Sequence, residues 1–91
     1  MVKNISSRLI YAAQIRAARG LLNWSQGELA ERAGVSKQSV TRIEAGTMDP
    51  RFSTLTALNE AIRSAGLEMA EDINGTVQLK VSREKLLPPS V

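Results

Sequence analysis

The stretch SQGELAERAGVSKQSVTRIEAG, Ser25–Gly46, decides the fold. Ser25 and Glu28 make an S-x-x-E capping box, in which each side chain satisfies an orphan backbone N–H of a first helical turn. A helix is therefore expected from Gln26, with Leu29, Ala30 and Ala33 on its core face. Gly34 stands where a left-handed C-cap is needed, because only glycine takes that backbone without steric cost. Ser36 is placed to cap a further helix over roughly 37–45, which Gly46 ends.

Two short helices joined by Gly34-Val35-Ser36 read as a helix-turn-helix. Val35 is the short apolar residue that plugs the gap between them. The later helix must then have two unlike faces. Val40 and Ile43 point inward, while Lys37, Gln38, Thr41, Arg42 and Ala45 share the opposite stripe. That stripe holds amide, hydroxyl, ammonium and guanidinium groups and no carboxylate. It suits the major groove of DNA, where Arg or Lys bonds guanine and Gln bonds adenine. The helix N-terminus opened by Ser36 favours phosphate through its free N–H groups.

Outward from this segment, Ser6 or Ser7 is expected to cap a first helix running to about Arg19, with Gly20 near its end. Ile10, Ala13, Ala17 and Ala18 are read as its apolar face. Trp24 is read as a core cap over the first two helices. Beyond Gly46, Asp49 and Pro50 favour a turn. Ser53 is expected to cap a fourth helix carrying Leu55, Leu58 and Ile62, closed near Gly66. The period then changes to two. Leu67 and Met69, then Val77, Leu79 and Val81, flank Asn74-Gly75 and predict a β-hairpin. A two-residue turn puts the two apolar sets out of register. A three-residue loop with left-handed Gly75 pairs Met69 with Leu79 and Leu67 with Val81 on one face, and is preferred. The expected organisation is a DNA-binding domain over 1–66, a hairpin over 67–81 and a flexible tail over 82–91.

Composition narrows the chemistry. The chain has 91 residues, room for one modest core. It has no cysteine and no histidine, which excludes disulfides, thiol or imidazole catalysis and zinc sites of the usual type. No cofactor or metal is expected, and scattered carboxylates form no catalytic pair. The absence of cysteine and of an apolar leader reads as a cytoplasmic protein. The formal charge of +3 is uneven: nine Lys/Arg against five Asp/Glu over 1–63, three against four beyond. A basic front two-thirds points to a polyanion-facing surface.

The segment from about Ile15 to Leu58 resembles the Cro/C1-type (Xre family) helix-turn-helix of phage repressors and bacterial regulators. Ser25–Gly46, Arg16, Arg19, Pro50-Arg51-Phe52 and Thr54-Leu55 carry the likeness. It implies a mainly α, four-helix lambda-repressor-like domain, here with a C-terminal β-hairpin. It also implies a dimeric transcriptional repressor, bacterial or phage, nucleoid-associated when bound to a pseudo-palindromic operator. By position, Lys37, Gln38, Thr41 and Arg42 match base-reading residues. Gln26 is similar to a glutamine that bonds phosphate and supports a base contact. Arg16, Ser36 and Ser39 match backbone-contacting or supporting positions, and Arg51 matches a basic residue near the backbone or the minor groove. Arg19 and Glu44 match a structural salt bridge between the first and third helices.

The sequence departs from that pattern in two places. Met48 and Asp49 stand in the loop after Gly46 where basic residues are common. A hairpin replaces a fifth helix, so dimerisation is expected through Leu67, Met69, Val77, Leu79 and Val81, whose edge strands need pairing. A second reading is an antitoxin or anti-activator that binds a co-encoded protein, with DNA autoregulation secondary.

Overall fold

The computed structural model describes residues 7–88. Four helices come first: α1 (Ser7–Leu22), α2 (Gln26–Ala33), α3 (Lys37–Glu44) and α4 (Phe52–Ser64). An antiparallel hairpin follows, β1 (Leu67–Glu71) and β2 (Val77–Val81). The chain is thus mainly helical with one small sheet.

Ile15, Ala18 and Leu22 of α1 meet Leu29 and Ala30 of α2, Val40 and Ile43 of α3, Leu58 and Ile62 of α4, and Leu67 of β1 in one core. Each large aliphatic side chain buried there contributes about 1.5–3 kcal/mol. Trp24 closes the core edge, buried, with the Arg32 guanidinium 4.4 Å above its ring.

The α1 helix departs from expectation twice. It runs through Gly20 to Leu22, because continuing the helix carries Leu22 into the core. Asn23 then turns the chain with φ 57°. Its core face is Ala12, Ile15, Ala18 and Leu22, whereas Ala13 and Ala17 lie exposed. The bulkier Ile15 and Leu22 bury more apolar area than the alanines opposite, and so orient the helix. The expected Ser6 cap lies outside the described residues.

The α2 helix opens on Ser25, whose Oγ accepts from the Glu28 N–H at 3.0 Å. The Glu28 carboxylate accepts from Arg32, one turn on, at 3.0 Å. Gly34 takes φ 72° and donates its N–H to Ala30 and Glu31 carbonyls. Val35 is half-buried against the core and its N–H reaches Ala30 O at 3.0 Å, which fixes the tight entry into α3.

The α4 helix begins at Phe52, not after a Ser53 cap. The Arg51 carbonyl accepts the first helical bond, from the Leu55 N–H at 2.9 Å, which leaves Ser53 inside the first turn. The hairpin has the register of the three-residue loop: Leu67 faces Val81, Met69 faces Leu79, and Glu71 faces Val77. Asp72 Oδ1 accepts from the N–H groups of Asn74 and Thr76, both at 2.9 Å, and Gly75 is left-handed with φ 82°.

The segment read as a flexible tail begins by folding back on the end of α4. Ser82 N–H bonds Gly66 O at 2.9 Å and Leu87 N–H bonds Ala65 O at 3.0 Å. Gly66 permits this approach: its φ is 100°, and a Cβ there would lie 2.6 Å from the Leu86 nitrogen. Residues 89–91 of that expected tail lie outside the described residues.

Candidate nucleic-acid interface

The α3 helix is short, and its N-terminus is held by two serines. Ser36 Oγ accepts from the Ser39 N–H at 3.0 Å and donates to Ser39 Oγ at 2.9 Å. Val40 and Ile43 fix the inner face in the core. Lys37, Gln38, Thr41 and Arg42 are all exposed along the outer one. The one carboxylate of this helix, Glu44, is 6% exposed and points inward. The outer stripe is therefore cationic and polar, with no negative group to repel phosphate.

A bonded network ties that stripe to the core. Arg19 of α1 grips Glu44 bidentately, Nε to Oε2 at 2.5 Å and Nη2 to Oε1 at 2.8 Å. Arg19 Nη1 also donates to Trp24 O at 2.9 Å, joining the α1–α2 turn to the pair. Gln26 Nε2 donates to Glu44 Oε1 at 3.0 Å, and Gln26 Oε1 accepts from Thr41 Oγ1 at 2.8 Å. The Thr41 hydroxyl is also within reach of Lys37 O at 3.1 Å. Arg16 Nη1 donates to the Glu44 carbonyl at 2.6 Å, satisfying an end carbonyl of α3.

The charges of the pair follow from this geometry. Burial pushes the Glu44 carboxyl up, but hydrogen bonds from Arg19 and Gln26 and the Arg19 charge outweigh it. The group is held below the usual carboxylate range. The hydrogen bond to Glu44 holds the Arg19 guanidinium above its ordinary value against the opposing effect of burial.

The expected site residues separate into groups. Lys37, Gln38 and Arg42 present exposed side chains, and Ser36 and Ser39 build the start of their helix. Arg19 and Glu44 are bonded to each other as a structural pair. Arg16, Gln26 and Thr41 belong to the network as well as to the surface. Sequence reading missed the Gln26–Glu44 and Arg16–Glu44 links, which cross 18 and 28 positions of chain. Arg51 is exposed at the start of α4, beside Phe52, itself 84% exposed. Of the strand residues, Leu67 is buried in the chain's own core. Met69 and Leu79 pack against that core, and Val81 is exposed.

The helix-turn-helix family model matches residues 15–66, more than half of the chain. The chain belongs to the helix-turn-helix family. The match covers the whole Arg19–Glu44–Gln26 network as well as the two-helix motif. The chain is also similar to an uncharacterized HTH-type transcriptional regulator, y4dL, of Sinorhizobium fredii. They are 39% identical over 49 residues, 54% of this chain and 25% of that protein. The chain thus spans about a quarter of the length of this curated relative.

Proposed function

We propose that this chain is a sequence-specific DNA-binding transcriptional regulator, acting as a dimeric repressor without catalysis. The observation that carries the reading is the two-sided α3. Its polar, carboxylate-free face is exposed, and its single carboxylate is buried against Arg19 and Gln26. Lys37, Gln38, Thr41 and Arg42 read base edges in the major groove. Thr41, whose hydroxyl donates to Gln26, offers its methyl group and the lone pairs of its oxygen. Ser36, Ser39, Gln26, Arg16 and Arg51 serve the DNA backbone. The partners are double-stranded DNA and a second copy of the chain, on a pseudo-palindromic operator with half-sites roughly 34 Å apart. The open edges of the two-stranded sheet offer one place for that second copy to join, with Val77 and Val81 beside them. The setting is a bacterial or phage cytoplasm, the protein lying on the nucleoid when bound.

Arg51 gives a direct test of backbone contact. Arg51→Ala should weaken binding about equally on operator and unrelated duplex. It should also reduce the slope of log affinity against log salt by about one. Titration of both duplexes across a salt series reads this. A loss confined to one operator base pair would move Arg51 from the backbone to base recognition.

A further inference from the structure

Hydrogen-bond polarity runs in one direction from the buried ion pair to the outer stripe of α3. The Glu44 carboxylate, gripped by Arg19, has no proton to give at neutral pH and can only accept. It therefore fixes the carboxamide of Gln26. The Nε2 end must face Glu44 Oε1, 3.0 Å away, because the reverse placing would set two oxygens against each other. The Gln26 oxygen is thereby turned toward Thr41, with Oε1 2.8 Å from Oγ1. The other neighbour of that hydroxyl is the Lys37 carbonyl, at 3.1 Å. Both neighbours are acceptors. A threonine hydroxyl has one proton, and here it is committed to the protein whichever of the two takes it.

We infer that Thr41 acts toward DNA as an acceptor alone, and so selects a base that presents an amino group, adenine or cytosine, on the strand it faces. A free hydroxyl donates or accepts and so pairs with any base. In the major groove adenine offers its N6 amino group and cytosine its N4 amino group, whereas guanine and thymine offer oxygen. Turning the Thr41 proton outward to meet guanine or thymine would strip Gln26 Oε1 of its donor. The same commitment keeps the hydroxyl off phosphate oxygens, which need a donor. Gln26 has the complementary chemistry. Its Nε2 carries two hydrogens, one given to Glu44, and the second is left for a phosphate oxygen. The assignment rests on base reading by the α3 stripe as proposed above, and adds which bases one of its residues accepts.

Selection of duplexes by the full chain, wild type beside Thr41→Val and Thr41→Ser, tests it. Valine keeps the branched shape and a methyl group but has no oxygen, whereas serine keeps the oxygen. At one position per half-site the wild type should favour adenine or cytosine on one strand, about two- to tenfold over guanine and thymine. Thr41→Val should lose that preference and Thr41→Ser should keep it. Preferences at the other positions should stand in both variants, which shows that both are folded. The selected base can also be replaced by its analogue without the amino group, unsubstituted purine for adenine or a pyrimidinone for cytosine. That replacement should weaken wild type by the same factor more than it weakens Thr41→Val. A Thr41-dependent preference for guanine or thymine, a uniform weakening of Thr41→Val on all sequences, or an equal response of the two proteins to the analogue overturns the assignment, while base reading by α3 stands. A wild-type pool with no enriched motif overturns both.

Discussion

Arg19→Met is expected to cost about 3 kcal/mol of folding stability at neutral pH, the magnitude for breaking one side of a buried ion pair. The Glu44 side chain is 4% exposed and Arg19 22%, so water cannot readily replace the lost guanidinium. Gln26 would remain on Oε1 and the Arg16 charge would remain nearby, while Oε2 would lose its hydrogen bond and the carboxylate its bidentate partner. The variant should also respond to acid differently. In wild type the Glu44 carboxyl is held below its ordinary value, so its stabilisation is present above the unfolded value of about 4.3. That stabilisation disappears as pH falls through the folded value. In the variant the uncompensated carboxylate is itself a cost, and protonation removes it. The stability gap between the two proteins should therefore narrow from pH 7 toward pH 4. Urea unfolding at both values measures it. Equal stability at pH 7, or a gap that does not change, would mean that the pair does not hold α3 in place.

Gln38→Ala and Arg42→Ala are each expected to remove about 1–3 kcal/mol of discrimination at one base pair of each half-site. Two symmetric half-sites double that to roughly 2–6 kcal/mol on a whole operator, the contributions of separated positions being near additive. Both side chains are exposed on α3 and lie outside the Arg19–Glu44 network, so the fold should be retained. Competition titrations against operators altered at single positions separate lost selectivity from lost affinity. Unchanged selectivity in both variants would leave the α3 stripe with backbone contact alone.

Much of this architecture is legible in local chemistry. Ser25, Gly34 and Ser36 mark the α2–α3 unit because caps and left-handed turns depend on single residues. The hairpin register follows from placing Met69 and Leu79 on one face. The α1 helix was harder to read, because its apolar residues occupy both sides. Periodicity alone selects Ala13 and Ala17 as readily as Ile15 and Leu22. Only the packing of α3 and β2 against it decides which side is inside. Gly20 and the Ser53 cap mislead for a related reason: tertiary burial of Leu22 and the position of Arg51 override a local stop and a local start. The backbone bonds from Ser82 and Leu87 to Gly66 and Ala65 have no local signal, because they depend on where distant carbonyls lie.

The same division applies to the candidate interface. The outer stripe of α3 can be read from four residue types and their spacing. The support beneath it cannot, since Gln26 meets Glu44 and Thr41 only after α2 and α3 have docked. That docking makes Gln26, at the start of one helix, a brace for Thr41 on the next.

Selection of bound duplexes from a random pool, with the wild-type full chain, tests DNA recognition by the α3 stripe most directly. The expected result is an enriched motif of two inverted half-sites, their centres about 10 base pairs apart. Its base preferences should shift at one position per half-site when the selection is repeated with Arg42→Ala. A pool with no enriched motif, or a motif that Arg42→Ala and Gln38→Ala leave unchanged, would contradict sequence reading by Lys37, Gln38, Thr41 and Arg42.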